Sequence, residues 1–457
     1  MRVISTLCLT VLVGFSSIAQ KDSLFIKRMS DEIMTNGKAY DLLYELTKKI
    51  GGRLAGSPQG QQATEWGKRN LEALGADKVF YQTHKMMNWK RGGTDFASIV
   101  GVNGETRIQP LAVLALGNSI GSNGMIEAEV LAVANFDELE KRKDEVKGKI
   151  VYFHSVFDPT KIQTFRAYGE SGVYRRSGAS RAAKYGAVGI MIHSLSTAPD
   201  NAPHTGSMVY DPAYPKIPAV AIGPNDAKML FDLAKKGSVK MQMQTYGYFL
   251  PEFEDRNVVA EIKGSEFANE YITLGGHLDS WDVNEGAHDD GAGVVHTMEV
   301  LRVLKTLNYK PKRTIRFVLF ANEENGVRGG NEYANQAKLN NENHIMALES
   351  DEGGFTPRSI GMTASKEAFQ KFQSWSTLLK PYGCEVTFGG SGTDIGPLAK
   401  VNPNTVIAGL VPDSQRYFDL HHAKTDVFEN VNKRELLLGA VNIAAIIYLV
   451  DQYGVNP

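Results

Sequence analysis

The sequence is poor in cysteine, and that shortage excludes a fold held together by disulfides. The chain has 457 residues and two cysteines, Cys8 and Cys384. Cys8 lies in an N-terminal segment that we expect to be removed. The remaining chain then has one cysteine and cannot form an internal disulfide. Cys384 is therefore predicted to be a packing residue.

Excess charge of either sign is also missing. The formal net charge is -1, and no dense run of lysine and arginine interleaved with aromatic residues occurs. Such a chain has no field to steer a polyanion, so nucleic acid is excluded as the expected partner. The hydrophobic fraction of 42% and the charged fraction of 22% are ordinary. They exclude a disordered chain and allow one large domain or two medium ones.

Long hydrophobic runs are absent except at the N-terminus. There Arg2 precedes an apolar run over 3–18, and small residues follow at Ser17 and Ala19. This layout predicts a cleavable secretory signal over 1–19, cut between Ala19 and Gln20. An uncleaved membrane anchor is the alternative, although the run is barely long enough to span a bilayer. We expect a secreted or periplasmic protein without a membrane association after cleavage.

From residue 255 onward the sequence alternates between strand-like and helix-like segments. Strands are predicted at 257–262, 271–274, 314–320 and 405–410, and a last helix at 433–451. Helices are also predicted within 25–50 and over 59–74, followed by a short strand at 78–83. This alternation indicates a three-layer α/β/α domain with a mixed, largely parallel sheet, whose site lies beyond the carboxyl ends of the strands.

The middle of the chain differs in texture. Short apolar strands are predicted at 130–133, 149–153, 188–192 and 217–222, with few clusters of catalytic residue types. We therefore expect an inserted domain over 105–250, between the two parts of the main domain at 20–104 and 251–457. His204 in this insertion is a residue that could reach a substrate, or a loop residue at the domain surface.

The stretch 275–293 concentrates histidine and aspartate between a predicted strand and a predicted helix. His277 and Asp279 are two residues apart in an extended segment, so they face the same side. One can bind a metal while the other orients it. Further clusters follow later in the chain: Glu323 and Glu324, Asp351, and His421 and His422. Imidazoles and carboxylates from several strand ends suit divalent metals, and two ions can share a bridging carboxylate about 3.5 to 4 Å apart.

The order and spacing of these clusters resemble peptidase family M28, the co-catalytic zinc peptidases, and within it the carboxypeptidase Q-like branch. The motifs are H-x-D at 277–279, D-D at 289–290, E-E at 323–324, E-S-D at 349–351 and H-H at 421–422. The segment Ile-Gly-Gly-Arg-Leu-Ala-Gly-Ser-Pro at 50–58 resembles the same branch. Segments 146–151 and 176–189 resemble a protease-associated domain, which the insertion over 105–250 is expected to form.

The resemblance implies two Zn²⁺ ions and a role for each ligand. His277 and Asp351 would hold one ion, Glu324 and His422 the other, and Asp289 would bridge them together with a water or hydroxide. Glu323 would be the general base, taking a proton from the attacking water and delivering it to the leaving amine.

Several neighbouring residues are assigned supporting roles. Asp279 is expected to be the carboxylate behind the histidine ligand, and His421 either donates a hydrogen bond to the oxyanion or packs the loop. Ser391 and Asp394 are expected to contact a peptide terminus. Structural or loop-ordering roles are expected for the remaining nearby residues: Asp282, Glu285, His288, Asp290, His296 and Asp426.

The resemblance implies a secreted dinuclear zinc exopeptidase that hydrolyses dipeptides or short peptides with a free amino terminus. An aminopeptidase acting on longer peptides is the alternative, and the sequence does not distinguish them. A non-catalytic binding protein with this fold would have decayed ligands, and a single-zinc acyltransferase or cyclase would have an altered bridge. All the implied ligands, including Asp289, are present. Members of this family can dimerise, so a homodimer stays an open alternative.

Overall fold

The computed structural model describes residues 3–456, with side chains described from residue 20 onward. The predicted export signal at 1–19 lies outside the residues whose side chains are described, and it stays a prediction. The helices are α1 (Val3–Asn36), α2 (Ala39–Tyr44), α3 (Pro58–Ala73), α4 (Phe136–Lys141), α5 (Thr164–Ala183), α6 (Pro224–Ala234), α7 (Ala292–Thr306), α8 (Arg328–Leu339), α9 (Lys366–Ser374), α10 (Ser376–Leu379), α11 (Gly396–Val401), α12 (Tyr417–Leu420) and α13 (Lys433–Tyr453).

The strands form two sheets of eight strands each. Their bounds are β1 (Lys78–Lys90), β2 (Phe96–Val102), β3 (Glu105–Leu111), β4 (Val113–Ala115), β5 (Ile126–Val133), β6 (Ile150–Phe153), β7 (Gly189–His193), β8 (Ala219–Ile222), β9 (Val239–Gln244), β10 (Tyr248–Ile262), β11 (Phe267–His277), β12 (Arg313–Phe320), β13 (Asn343–Glu349), β14 (Pro357–Thr363), β15 (Glu385–Phe388) and β16 (Val406–Pro412).

The first sheet confirms the predicted mixed α/β fold. Its order is β1-β10-β12-β11-β13-β16-β14-β15. The four central strands β12, β11, β13 and β16 run parallel, whereas β10 pairs antiparallel with β12 and β14 pairs antiparallel with β16. The carboxyl ends of the central strands therefore meet at one edge of the sheet, which is where such folds place their sites.

Both faces of this first sheet are buried, which explains its continuous apolar strands. In β12, Phe317 and Leu319 pack on the side of α7 and α13, while Val318 and Phe320 pack on the side of α8 and α11. Helix α13 is long and apolar enough to cross a membrane by composition, but 83% of its apolar window is buried inside the protein. It is a core helix of this layer.

The second sheet contains the predicted insertion, but its bounds differ from 105–250. Its order is β3-β2-β9-β5-β6-β7-β8-β4, so it begins at Phe96 and ends at Gln244. Residues 248–250 instead begin β10 of the first sheet. We call 96–244 the inserted unit. Its two faces are covered by α4 and α5 on one side and by α6 on the other.

The helix predicted within 25–50 is in fact three segments. Helix α1 ends at Asn36, α2 covers Ala39–Tyr44, and a π-helical turn covers Glu45–Ile50. The chain leaves the helix at Gly37, where an added side chain would clash with the Ile33 carbonyl and lie 2.8 Å from Leu437 of α13, so only glycine fits this close approach. The close packing of the N-terminal segment on α13 overrides the helical periodicity of the sequence.

Candidate metal centre

Two half-sites meet at the carboxyl ends of the central strands. His277 is the last residue of β11, and Asp351 follows β13. The His277 Nε2 atom lies 3.2 Å from Asp351 Oδ1 and 3.3 Å from Asp289 Oδ1. This first half-site therefore brings together three of the residues that the sequence motifs single out.

The second half-site lies on the other side of Asp289. His422 Nε2 is 3.1 Å from Asp289 Oδ2 and 3.0 Å from Glu324 Oε2. Asp289 sits in the turn Ala287–Gly291, where its own backbone is not helical, and each of its two carboxylate oxygens faces a different histidine. A carboxylate placed in this way has the arrangement required of a bridge between two ions.

The donor atoms of these residues fit a metal. Asp289 Oδ2, Glu324 Oε1 and Asp351 Oδ1 are buried and accept no hydrogen bond from the described residues. Buried carboxylate oxygens without a partner are costly, and a divalent cation satisfies them. Imidazole and carboxylate ligands together suit zinc. The residues present therefore fit the metal that the motifs imply.

The charges of the half-sites point the same way. Although burial alone would lower the pKa of His277, the carboxylates of Asp351 and Asp289 raise it well above its usual value. Glu324 and Asp289 act in the same way on the pKa of His422. In this arrangement each imidazole would hold a proton between carboxylates. Metal binding to such groups releases protons, because the cation replaces them at the same lone pairs.

Glu323 lies at the same edge and faces the cavity. It follows β12 and is half-buried, next to the two half-sites. Burial, followed by the charges of Asp351 and Glu324, raises the pKa of Glu323 well above its usual value. The same crowding raises the pKa of Glu324 to about 7, with burial as the main cause and Asp289 as the next.

Asp279 acts through different atoms than the sequence predicts. Its backbone carbonyl, 3.0 Å from His277 Nδ1, accepts the hydrogen bond from the imidazole. The Asp279 carboxylate instead accepts from the backbone N–H groups of Glu323 and Glu324, at 3.1 and 3.3 Å. Asp279 thus orients one histidine with its main chain and the Glu323–Glu324 turn with its side chain.

The inserted unit forms the outer wall of the second half-site. The Thr205 N–H donates to the carbonyl of His422 at 3.0 Å, and His422 Nδ1 lies 3.2 Å from the Thr205 carbonyl. The His204 ring donates to the carbonyl of His421 at 2.6 Å. His204 is therefore a buried anchor of this loop, and neither a substrate contact nor a surface residue.

A cavity of about 620 Å³ opens in front of the two half-sites. The main domain contributes the acidic residues, and the inserted unit contributes Phe165, Tyr168 and Arg175. Arg175 is the only arginine, and there is no lysine, among the side chains that line this cavity in the described part of the chain. Its Nη2 donates to the Tyr168 hydroxyl at 2.6 Å, and its buried Nε donates to no acceptor among the described residues.

The structure places the two expected substrate contacts in different environments. Ser391 lines the cavity. Asp394 is fully buried and does not line the cavity, so the expectation that it contacts a peptide terminus is wrong. Its backbone N–H donates to Glu349 at 3.0 Å, which places it behind the wall formed by β13.

His421 lies beside the metal ligands. Its ring stacks on that of His422 with centroids 3.5 Å apart, and its Nε2 is 3.6 Å from Asp289 Oδ2. Burial, followed by the charge of His422, lowers the pKa of His421 well below its usual value, so a neutral ring with one N–H lines the cavity. Its predicted hydrogen bond to an oxyanion stays a prediction.

The remaining acids and histidines have structural contacts, as expected. Asp290 accepts from the backbone N–H groups of His277 and Gly293, and Asp426 accepts from those of His288 and Asp289. The other contacts are His288 stacked on Phe355, His296 hydrogen-bonded to Ser350 and Leu436, Asp282 paired with Arg91, and Glu285 paired with Lys48. Cys384 is buried in the core, as predicted.

Two arginines near the site were not identified from the sequence. Arg53 lies in the segment 50–58, whose motif was noted without a role for its arginine. Arg175 lies one residue before the segment 176–189. An isolated arginine in a helix or a turn carries no sequence signal that separates a buried position from an exposed one, so only the fold reveals them.

Comparison with known proteins places these observations in a family. The model of peptidase family M28 matches residues 257–447. Carboxypeptidase Q from Bos taurus is 35% identical over 421 residues, covering 91% of this chain and 84% of that protein. Carboxypeptidase Q from Homo sapiens is 35% identical over 423 residues, with coverages of 91% and 84%.

Solved structures agree with the sequence matches. A peptidase M28 precursor from Shewanella amazonensis SB2B is 31% identical, with a TM-score of 0.90 and coverage of 96% of this chain and 99% of that chain. A zinc aminopeptidase from Bacillus subtilis is 18% identical, with a TM-score of 0.64 and coverages of 90% and 94%. The second likeness shows a shared fold.

Proposed function

The chain belongs to peptidase family M28, and from that premise we propose that it is an exported dinuclear zinc exopeptidase acting on dipeptides and short peptides with a free amino terminus. One observation carries the proposal. Asp289 presents one carboxylate oxygen to His277 and the other to His422. A carboxylate whose two oxygens face different histidines suits a site for two ions rather than one.

His277 and Asp351 would hold one ion, Glu324 and His422 the other, and Asp289 both. When bound, zinc polarises the scissile carbonyl and makes a water molecule more acidic. Glu323 accepts the proton of that water as it attacks the carbonyl and then delivers the proton to the leaving amine. The Asp279 carboxylate holds the backbone of Glu323 in place during both transfers.

Arg175 supports a substrate with a free carboxylate close to the scissile bond. Its side chain is buried and contacts a hydroxyl and an imidazole, and it forms no ion pair with the described residues. A buried guanidinium without an anion is costly unless a ligand supplies the anion. Its Nη1 lies 3.4 Å from His422 Nδ1, which puts it beside the metal ligands. In a dipeptide the terminal carboxylate lies one residue beyond the scissile bond.

An aminopeptidase for longer peptides is the second proposal considered. It requires an exit for the chain beyond the first product residue. Phe165, Tyr168 and Arg175 of the inserted unit line the cavity, and this cover over the site favours the shorter substrate. Two other functions, a binding protein and a single-zinc transferase, are disfavoured. The proposed histidine and carboxylate ligands, including Asp289, are all present and lie within short distances of their neighbours.

Replacement of the base tests the proposed chemistry. Glu323→Gln should lower kcat by at least about a hundredfold, the range typical of a positioned general base, with zinc content unchanged. Asp282→Asn, an acid paired with Arg91 outside the cavity, should keep full activity and serves as the control. Full turnover by the Glu323→Gln variant would reject the base, and fewer than about two bound ions in active protein would reject the dinuclear site.

A panel of related peptides tests the substrate class. One dipeptide is compared with its N-acetyl form, its C-terminal amide and the tripeptide that extends it. We expect the acetyl form to be inert and the amide and tripeptide to be poor substrates. Arg175→Met should lower kcat/KM for the dipeptide and not for the amide, whereas Arg176→Met, an exposed neighbour on the same helix, should change neither. Efficient tripeptide cleavage would favour the aminopeptidase.

A further inference from the structure

The segment 50–58 contains a buried cation, Arg53, that has no role in the proposed chemistry. Arg53 is 0% exposed, although it lies in a short segment between two helical elements. A fully buried arginine is uncommon and costly unless every donor is satisfied. Burial lowers the pKa of Arg53 to about 10, so the side chain still carries its charge at neutral pH.

Each of the three guanidinium nitrogens of Arg53 donates a hydrogen bond to a backbone carbonyl of one loop. Nε donates to Leu278 O at 2.5 Å, Nη1 to Glu285 O at 2.6 Å, and Nη2 to Gly286 O at 2.9 Å. The backbone N–H of Arg53 also donates to Ser280 Oγ at 3.2 Å. One side chain therefore joins the beginning of the 278–286 loop to its end.

The two ends of this loop lie next to two proposed metal ligands, His277 and Asp289. Leu278 follows His277 directly, and Gly286 precedes the Ala287–Gly291 turn that contains Asp289. The loop closes tightly around the guanidinium. Gly286 has a φ of +56°, and a side chain on it would lie 2.3 Å from the Ser280 Cβ and 2.9 Å from Arg53 Nη1. The loop has little freedom to close differently while the guanidinium is present.

We propose that Arg53 is a positioning residue that sets the separation of His277 and Asp289, so that the first half-site is formed before the metal arrives. The inference rests on the proposed ligand roles of those two residues. Arg53 touches neither ligand side chain, and it acts through the main chain on both. Its positive charge also lies near Asp426, Asp279, Asp290 and Glu324, whose mutual repulsion it offsets.

The test measures zinc affinity separately from stability. Arg53→Met, Arg53→Lys and the wild type are stripped of metal, their thermal unfolding is recorded, and zinc affinity is measured by competition with a chromophoric chelator. We expect at least a tenfold weaker affinity for Arg53→Met, the range typical for loss of groups that orient metal ligands. Arg53→Lys should be intermediate, because one ammonium cannot reach both ends of the loop with the geometry of the fork.

The matched control is Arg302→Met. Arg302 is largely buried and pairs with Glu299 on α7 and with Glu32 on α1, neither of which is a proposed metal ligand. This variant should unfold at a lower temperature and keep the zinc affinity of the wild type. With zinc saturating, Arg53→Lys should regain most of its kcat with an unchanged KM, because the defect is in holding the metal.

The possible outcomes distinguish a positioning role for Arg53 from a purely structural one. Wild-type zinc affinity in Arg53→Met or Arg53→Lys, with only the unfolding temperature lowered, would show that Arg53 is a core residue and overturn the inference. If Arg53→Met does not fold, Arg53→Lys decides by the same criterion. A wild-type protein that binds no zinc would instead overturn the proposed function itself.

Discussion

At the scale of single residues, the geometry of the second half-site depends on a glycine, because a residue with a side chain would not fit at its position. Gly206 of the inserted unit has a φ of +131°, and a side chain there would lie 2.6 Å from His422 Nδ1 and 2.4 Å from Arg175 Nη1. Both contacts are shorter than van der Waals separation. The backbone of the inserted unit can approach the His422 imidazole only because residue 206 is glycine.

We therefore predict that Gly206→Ala displaces His422 and weakens zinc binding at the second half-site. Both the strained φ and the clash contribute, so zinc affinity should fall by about tenfold or more. Gly169→Ala, on α5, where an added side chain meets nothing within 4 Å, is the control and should bind zinc like the wild type. Equal affinities in both variants would show that the inserted unit does not position this ligand.

Residue types and spacing single out the proposed metal ligands, but not the atoms that orient them. The clusters come together because 277, 323–324 and 351 lie at the carboxyl ends of strands, while 289 lies in the turn before α7 and 421–422 follow α12 at the same edge of the sheet. The orienting contacts are mostly main-chain carbonyls and N–H groups, as at Asp279 and Thr205. Every residue carries these groups, so the sequence has no signal for them. Asp394 was misassigned because an acid in a glycine-rich loop looks the same whether it faces solvent or the core.

At the scale of elements, the edge of the first sheet opposite the metal centre carries an ion pair that should govern acid stability. Arg316 on β12 donates two hydrogen bonds to Glu342, at 2.6 and 2.9 Å, and His344 lies 3.0 Å from the same carboxylate. Glu342 precedes β13, so these contacts join two central strands. Burial alone would raise the pKa of Glu342, but the hydrogen bonds from His344 and Arg316 lower it to about 2.

We predict that Glu342→Gln removes stability that depends on pH. The pKa of Glu342 in the folded protein lies below the usual value of about 4.5 for a glutamate. Its contribution is therefore complete above about pH 4.5 and is lost as the pH falls toward 2. At pH 7 the variant should lose on the order of 2 kcal/mol of unfolding free energy. Urea titrations from pH 7 to pH 3 measure this difference, which should shrink in acid.

The exposed Glu266→Gln is the control for this titration, because its side chain forms no hydrogen bond in the described part of the chain. It should follow the wild type at every pH. A constant difference between Glu342→Gln and the wild type from pH 7 to pH 3 would contradict the lowered pKa.

Strands with long apolar runs could be predicted from the sequence, whereas strands that form by pairing with distant partners could not. The strands predicted at 257–262, 271–274, 314–320 and 405–410 correspond to β10, β11, β12 and β16, although β16 begins at Val406, because burial on both faces leaves continuous apolar segments. Strands β13, β14 and β15 of the first sheet and the start of the second sheet at β2 were missed. Their residues are partly polar, and they become strands by pairing with partners far along the chain.

At the scale of the whole molecule, the metal centre depends on both sheets. The ligands come from the first sheet and the loop after α12, while residues 204–206 of the inserted unit hold that loop through its backbone. The two units are further joined by Trp89 of β1, whose Nε1 donates to the Ser119 carbonyl of the inserted unit at 2.8 Å. The stretch 275–293 contributes His277 and Asp289 alone, so as an isolated peptide it should bind metal poorly.

Metal removal should therefore loosen the contact between the units as well as the site. Without cations, the carboxylates of Asp289, Glu324 and Asp351 repel one another, and only the protons on His277 and His422 remain to offset that repulsion. Zinc at a thousand times its dissociation constant adds about 4 kcal/mol of stability, so chelator-treated protein should unfold at a clearly lower temperature. Hydrogen exchange then locates the change. The amide of Thr205, which donates to His422, should exchange faster in the stripped protein, whereas the amides in the middle of β6 should not. Equal protection of Thr205 with and without zinc would show that the inserted unit holds the loop independently of the metal.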